Sequence, residues 1–222
     1  MKNVLFITGT DTGVGKTYIS TLIIKSLLNL GIKAGYFKPV ETGCDPFCED
    51  ALKLSKITGQ SIEESVLYQF KFPVAPYVAQ IEENKKISIE KILEKIKYLS
   101  KKYEFLIVEG AGGIMVPITE EKGKIITYLD LINLTKMPVL VVSRANLGTI
   151  NHTVLTVKAL KDTDVQIKGI VLNRASKNPD LAEKKNPQVI SRMTGIKHIF
   201  KVYENQDNLN LNDILTKIVS TS

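Results

Sequence analysis

Tryptophan is absent from this 222-residue chain, and there are only two cysteines and two histidines. Cys44 and Cys48 are too few for a disulfide framework, and two thiols cannot complete a four-ligand zinc site. We expect them to be free thiols in a loop. His152 and His198 have no triad around them, so His152 is read as a structural or hydrogen-bonding residue. No apolar run is long enough to span a bilayer. The N-terminal MKNVLFITGT is too short for a secretory signal, so a cytoplasmic, membrane-free protein is expected. Internal repeats and low-complexity tracts are missing too. The net charge is +7, yet the lysines are dispersed. KK pairs at 85–86, 101–102 and 184–185 form no dense basic stripe with stacking aromatics, so nucleic acid is not an expected partner. The positive balance would instead attract small anions.

What the chain does have is GTDTGVGKTY at 9–18. The strict phosphate-loop pattern G-x-x-x-x-G-K-[ST] requires glycine five residues before Gly15. Thr10 holds that position, and the glycine stands one earlier, at Gly9. The context favours a phosphate loop all the same. VLFIT (4–8) is an apolar run suited to a buried parallel strand, and the run from Tyr18 to Gly31 has helical apolar spacing. Glycines between a strand and a helix bring backbone N–H groups and a positive helix end to an anion. In that setting Lys16 would reach the outer phosphates and Thr17 would offer its hydroxyl to Mg²⁺.

Further apolar runs, AGYF (34–37), FLIV (105–108), VLVV (139–142) and GIVL (169–172), each end on polar or small residues. Helical stretches are expected at 49–58, 88–102, 125–136 and 150–161, with a last one near 211–220. Alternation of this kind predicts an α/β fold: a doubly wound, mainly parallel sheet with helices on both faces, like a P-loop NTPase, in one domain spanning 1–222. Ligands then bind beyond the carboxyl ends of the strands. Lys38, Glu109 and Asn173 fall on that rim. Glu109, followed by GAGG, is an acid at a strand end beside a phosphate loop, a usual Mg²⁺ position. Asp50 is a favourable helix-start acid. Lys38, held by Pro39, is placed to stabilise developing negative charge. Gly148, Thr149 and Asn151 suit a helix start and a second anion site.

Taken together, GTDTGVGKT, KPVETG (38–43), EDALKL (49–54), VAPYVA (74–79), VEGAGG (108–113), LGTINH (147–152) and VLN (171–173) resemble the dethiobiotin synthetase family in order and over nearly the whole chain. The resemblance also covers Thr10, since that family's loop carries threonine there. It implies an ATP-dependent cyclising ligase of biotin synthesis. The diamine 7,8-diaminopelargonic acid takes up CO₂ as a carbamate, ATP phosphorylates it, and the second amine closes the ring. On this likeness Thr12, Gly13, Val14, Gly15, Lys16, Thr17 and Tyr18 would hold ATP, and Thr17, Asp50 and Glu109 would hold Mg²⁺. Lys16 and Lys38 would be catalytic. Gly110, Ala111 and Gly112 would approach nucleotide and substrate, and Thr42 would contact substrate. Asn173, Arg174 and Glu204 would serve the nucleoside. Gly148, Thr149, Ile150 and Asn151 would bind substrate carboxylate across a homodimer interface. In HIFKVYEN (198–205) the likeness departs: Phe200 stands where proline is expected and a glycine is missing.

Two rival readings are a partitioning-type ATPase switch and a cobyrinate-type amidating ligase. The first usually carries an early lysine, KGGxGKT, where this loop reads TDTGVGKT. The second would call for ammonia or a glutaminase domain, which this chain is not expected to hold.

Overall fold

The computed structural model describes residues 3–204. It opens with β1 (Val4–Gly9), the phosphate loop, α1 (Lys16–Asn29), β2 (Ala34–Thr42), α2 (Glu49–Thr58), the short α3 (Ile62–Ser65) and β3 (Val66–Phe70). The middle of the chain forms α4 (Pro76–Glu82), α5 (Ile89–Lys102), β4 (Phe105–Gly113), the pair β5 (Pro117–Glu121) and β6 (Lys124–Thr127), and α6 (Tyr128–Thr135). Then come β7 (Val139–Arg144), α7 (Thr149–Lys161), β8 (Ile167–Ala175), α8 (Leu181–Thr194) and β9 (Ile199–Tyr203).

Seven strands make one sheet in the order β3-β2-β4-β1-β7-β8-β9, and β5 and β6 form a separate antiparallel hairpin. Every pairing in the large sheet is parallel. The side-chain period of two divides the core between its faces. Along β1, Val4 and Phe6 join Ile92, Ile96 and Leu99 of α5 and Val157 of α7 on one face. Leu5 and Ile7 join Ile19, Leu22, Ile23 and Leu27 of α1 on the other. Burial on both faces explains why these strands read as unbroken apolar runs. The expected doubly wound architecture is therefore present. Among the described residues, no helix is long and apolar enough to cross a membrane.

Three expectations need correction. The segment expected as a helix over 125–136 is a strand through Thr127 followed by α6. The helix start is marked by a capping box: the Thr127 hydroxyl accepts from the Asp130 N–H, while the Asp130 carboxylate accepts from the Thr127 N–H. Second, β2 does not end at Lys38. It leaves β4 after the Phe37–Val108 pair and continues against β3 as far as Thr42. Third, Cys44 and Cys48 are joined in a disulfide rather than left as free thiols. The turn between β2 and α2 brings their Cα atoms to 4.3 Å, a closeness that sequence spacing does not reveal. The helix expected near 211–220 lies outside the described residues.

Candidate active site

The loop that follows β1 explains its own unusual spacing. A Cβ on Gly9 would lie 2.7 Å from the Asp11 carbonyl oxygen and 2.8 Å from Val14 Cγ2, so only glycine fits there. Thr10 instead ties the loop to β7. Its N–H donates to the Val142 carbonyl at 2.9 Å, and its hydroxyl lies 3.1 Å from the Ser143 hydroxyl. Gly15 caps α1 in the left-handed region, φ 99°, and a Cβ there would strike the Asn173 amide beneath it. Val14 is buried and Tyr18 half-buried below the loop. Thr12 and Gly13 are exposed at its crest.

A cleft of about 490 Å³ opens over this loop. Its walls include Thr12, Gly13, Gly15, Lys16, Thr17, Lys38, Thr42, Asp50, Glu109, Ala111, Gly112 and Arg174, so chain segments far apart in sequence meet there. Gly110 is buried behind this wall in β4, where Phe6 and Tyr128 close against it. Pro73, Val74, Ala75, Pro76 and Val116 complete the lining and were given no role by the sequence reading. Pro76 is the first residue of α4, where its missing N–H costs nothing.

At the floor lies a charged cluster. Glu109 is fully buried. The Thr17 hydroxyl donates to its Oε1 at 2.8 Å, and the Ser20 hydroxyl donates to its Oε2 at 2.6 Å. Ser20 went unrecognised in sequence, though it lies one turn past Thr17 on the same helix face. Lys38 is ion-paired with Asp50, and its Nζ lies 3.8 Å from Glu109 Oε1. Burial works to lower the Lys38 pKa, but Glu109, Asp50 and Glu41 together outweigh it and hold it above the usual lysine range. Lys16 Nζ donates to the Asp11 carbonyl at 3.2 Å. Burial lowers its pKa, and neighbouring Lys38 adds to that, while Glu109 opposes. Asp50 and Glu109 thus stand close to two ammonium groups, and Glu41 adds its charge to Lys38 from further back.

Thr17, Asp50 and Glu109 bring a hydroxyl and two carboxylates to one place. That all-oxygen donor set, with Lys38 already drawn between the acids, fits Mg²⁺ and not a soft metal. Asn173 is buried and donates through Nδ2 to the Val14 carbonyl at 2.9 Å. Its Oδ1 is buried and has no hydrogen-bond partner among the described residues. Arg174 is exposed, at φ 55°. Glu204 is exposed just beyond β9 and is not among the residues lining the cleft.

Gly148, Thr149, Ile150 and Asn151 are not brought to this cleft. Gly148 and Thr149 line a second cavity of about 130 Å³ with Asp11, Arg144 and His152. Gly148 caps α7. The Thr149 hydroxyl faces inward, 2.6 Å from Ser143 Oγ and 3.2 Å from Thr153 Oγ1. Asn151 is exposed and Ile150 half-buried.

A protein-family model described as an AAA domain matches residues 3–210. Among curated proteins, the ATP-dependent dethiobiotin synthetase of Aquifex aeolicus is 49% identical over 203 residues, covering 91% of this chain and 90% of that protein. The enzyme of the same name from Clostridium perfringens is 37% identical over 228 residues, covering 97% and 99%. Among solved structures, a MinC:MinD cell division complex of Aquifex aeolicus aligns with a TM-score of 0.59 at 15% identity, over 98% of this chain and 85% of that one. A ParA family ATPase from Chlorobium tepidum aligns at 0.53 and 15%, over 99% and 91%. At such identities the last two speak for the fold alone.

Proposed function

This chain belongs to the dethiobiotin synthetase family, and from that premise we infer that it is an ATP-dependent cyclo-ligase making dethiobiotin from 7,8-diaminopelargonic acid and CO₂. The observation that carries the site assignment is the convergence of Lys16, Thr17, Lys38, Asp50 and Glu109 on one cleft. In the proposed sequence one amine of the diamine adds to CO₂ and gives a carbamate. A carbamate oxygen attacks the γ-phosphorus of ATP and ADP leaves. The second amine then attacks the carbamoyl carbon, expelling phosphate and closing the five-membered ureido ring. The second nucleophile is already on the same molecule, so closure gains from proximity.

The chain's residues divide this work. Backbone N–H groups from Gly13 to Thr17 would cradle the triphosphate at the start of α1. Lys16 would neutralise the outer phosphates, and Lys38 the carbamate and transferring phosphoryl group. Thr17, Asp50 and Glu109 would hold Mg²⁺, which when bound spreads the phosphate charge. Thr42, Ala111 and Gly112 would contact the diamine. The buried Asn173 Oδ1, which has no partner among the described residues, would accept a hydrogen bond from an exocyclic amine of the base. Arg174 and Glu204 would flank the nucleoside. With purified protein, ATP, Mg²⁺, bicarbonate and the diamine, mass spectrometry should show dethiobiotin formed in step with ADP. Hydrolysis of ATP without any ring-closed product would defeat the reading.

We also place the enzyme in the cytoplasm as a homodimer, with residues 148–151 serving a partner's substrate carboxylate. Supporting this, Leu147 just before α7 and Leu155 within it stand 82% and 58% exposed. Light scattering should give a dimer with an isologous interface. An active monomer at assay concentration would contradict it.

A further inference from the structure

We propose that Glu41 is a positioning residue that seats the start of α2 so that Asp50 faces Lys38 and the phosphate loop. The proposal rests on the reading of Asp50 as part of the Mg²⁺–ATP site. Glu41 lies in β2, three residues beyond Lys38, and is 4% exposed. It does not line the cleft. Its carboxylate reaches across to α2 instead. Oε1 accepts from the Asp50 N–H at 2.8 Å, and Oε2 accepts from the Ala51 N–H at 3.0 Å.

A helix start leaves its first N–H groups without intrahelical partners. The residue that would usually satisfy them is the N-cap, and here that is Cys48, which makes no side-chain cap bond. Its sulfur is engaged with Cys44. So the cap comes from a different element. One strand therefore holds Asp50 twice: Lys38 by its carboxylate, Glu41 by its backbone. Charge-assisted bonds to two adjacent N–H groups fix a direction as well as a distance. The disulfide tethers the same turn, but it ends at Cys48, two residues before Asp50, and the Cys48 side chain makes no cap bond to the helix.

Two N–H donors need two acceptors. Glu41→Gln keeps the shape yet offers one acceptor, and its amide N–H₂ group faces an N–H. The start of α2 must then turn, and the Asp50 carboxylate turns with it. Groups that orient a metal's ligands typically contribute 10–100-fold to its affinity. In the full-length protein loaded with ATP, Glu41→Gln is therefore expected to weaken Mg²⁺ binding about 10–100-fold by calorimetry. The Mg²⁺ concentration for half-maximal turnover should rise by the same factor, while KM for the diamine changes little. A residue of purely structural importance would lower turnover at every Mg²⁺ concentration. Hydrogen exchange should also speed up at the Asp50 and Ala51 amides. Should Glu41→Gln not fold, Glu41→Asp decides, because it keeps the charge but is one methylene too short to span both donors. A wild-type-like Mg²⁺ affinity in the folded variant overturns the proposal, as does a wild type that binds Mg²⁺ with ATP no better than the variant. Calorimetry and exchange need no product, so absence of dethiobiotin would count against the proposed reaction and leave the Glu41 result to be read separately.

Discussion

Replacing Lys16 with Gln is expected to lower turnover by about 10²-fold or more, the loss that follows removal of a preorganised charge at a developing anion. The cation is held ready at a cost. Lys16 is 7% exposed, and its hydrogen bond is to a neutral carbonyl, that of Asp11. Burial, the largest influence, depresses its pKa, and Glu109 only partly compensates. A lysine whose folded pKa is lowered destabilises the fold while it must carry its proton, and that penalty fades as pH rises through the lowered folded value and is gone above the unfolded one. On the proposed reading, bound phosphates would supply the missing countercharge. Lys16→Gln should thus leave the melting temperature of the nucleotide-free protein unchanged or slightly higher while turnover collapses. Steady-state kinetics and calorimetry without ATP check both halves. Near-normal turnover, or a clear fall in melting temperature, would refute this account of Lys16.

The sheet was legible wherever a strand is buried on both faces. VLFIT, FLIV and VLVV are continuous apolar runs because helices cover both sides of β1, β4 and β7. The edges were not. β3, VLYQF, exposes Gln69, and β9, IFKVY, exposes Lys201 and Tyr203, so polar positions interrupt each apolar run. α8 hides behind Pro187 and buries only Asn186, Ile190 and Thr194, a stripe too thin for apolar periodicity. In IITYLDLINLT a strand runs straight into a helix without a break in hydrophobicity. The Thr127–Asp130 spacing was the available signal for the boundary.

The site divides along similar lines. Lys16, Thr17 and Glu109 could be placed because a strand-to-helix turn and a strand-end acid have fixed consequences for geometry. Glu41 could not. Its role depends on α2 swinging its first turn against β2, a tertiary approach with no local pattern. The same turn brings Cys44 to Cys48. Asn173 was expected at a base edge, and its Nδ2 turns out to be engaged under the loop by Val14. That bond depends on the left-handed Gly15 directly above it, which side-chain type alone does not announce.

Lys38→Met should have the largest combined effect on stability and activity. Lys38 is 6% exposed, between the Asp50 carboxylate and the fully buried Glu109, with Glu41 behind. Its pKa is raised because those three acids outweigh the burial that would lower it. A raised lysine pKa means stability that is fully present below the unfolded value and is lost only as pH climbs through the higher folded one. This contribution is therefore constant across neutral pH, and the wild type should show no Lys38-linked loss there. Methionine keeps the four-atom unbranched stem and removes the charged group, leaving the acids to repel one another. Breaking a buried charge cluster by deleting one partner costs about 3–5 kcal/mol. For a chain of this size that corresponds to a fall of roughly 10 °C in melting temperature. Turnover should fall by about 10²–10³-fold, because on the proposed reading the same ammonium would face the transferring phosphoryl group. The two effects can be separated with Mg²⁺. A divalent cation held, as proposed, by Thr17, Asp50 and Glu109 would replace the lost charge between the acids, but it would not restore the donor proposed to meet the carbamate. Lys38→Met should then regain much of its melting temperature on adding Mg²⁺, more than the wild type gains, while remaining poorly active. Scanning calorimetry with and without Mg²⁺, alongside single-turnover kinetics, checks this. A variant that melts within about 2 °C of the wild type without Mg²⁺ would mean that less than roughly 1 kcal/mol depends on Lys38, and that the acids do not need it.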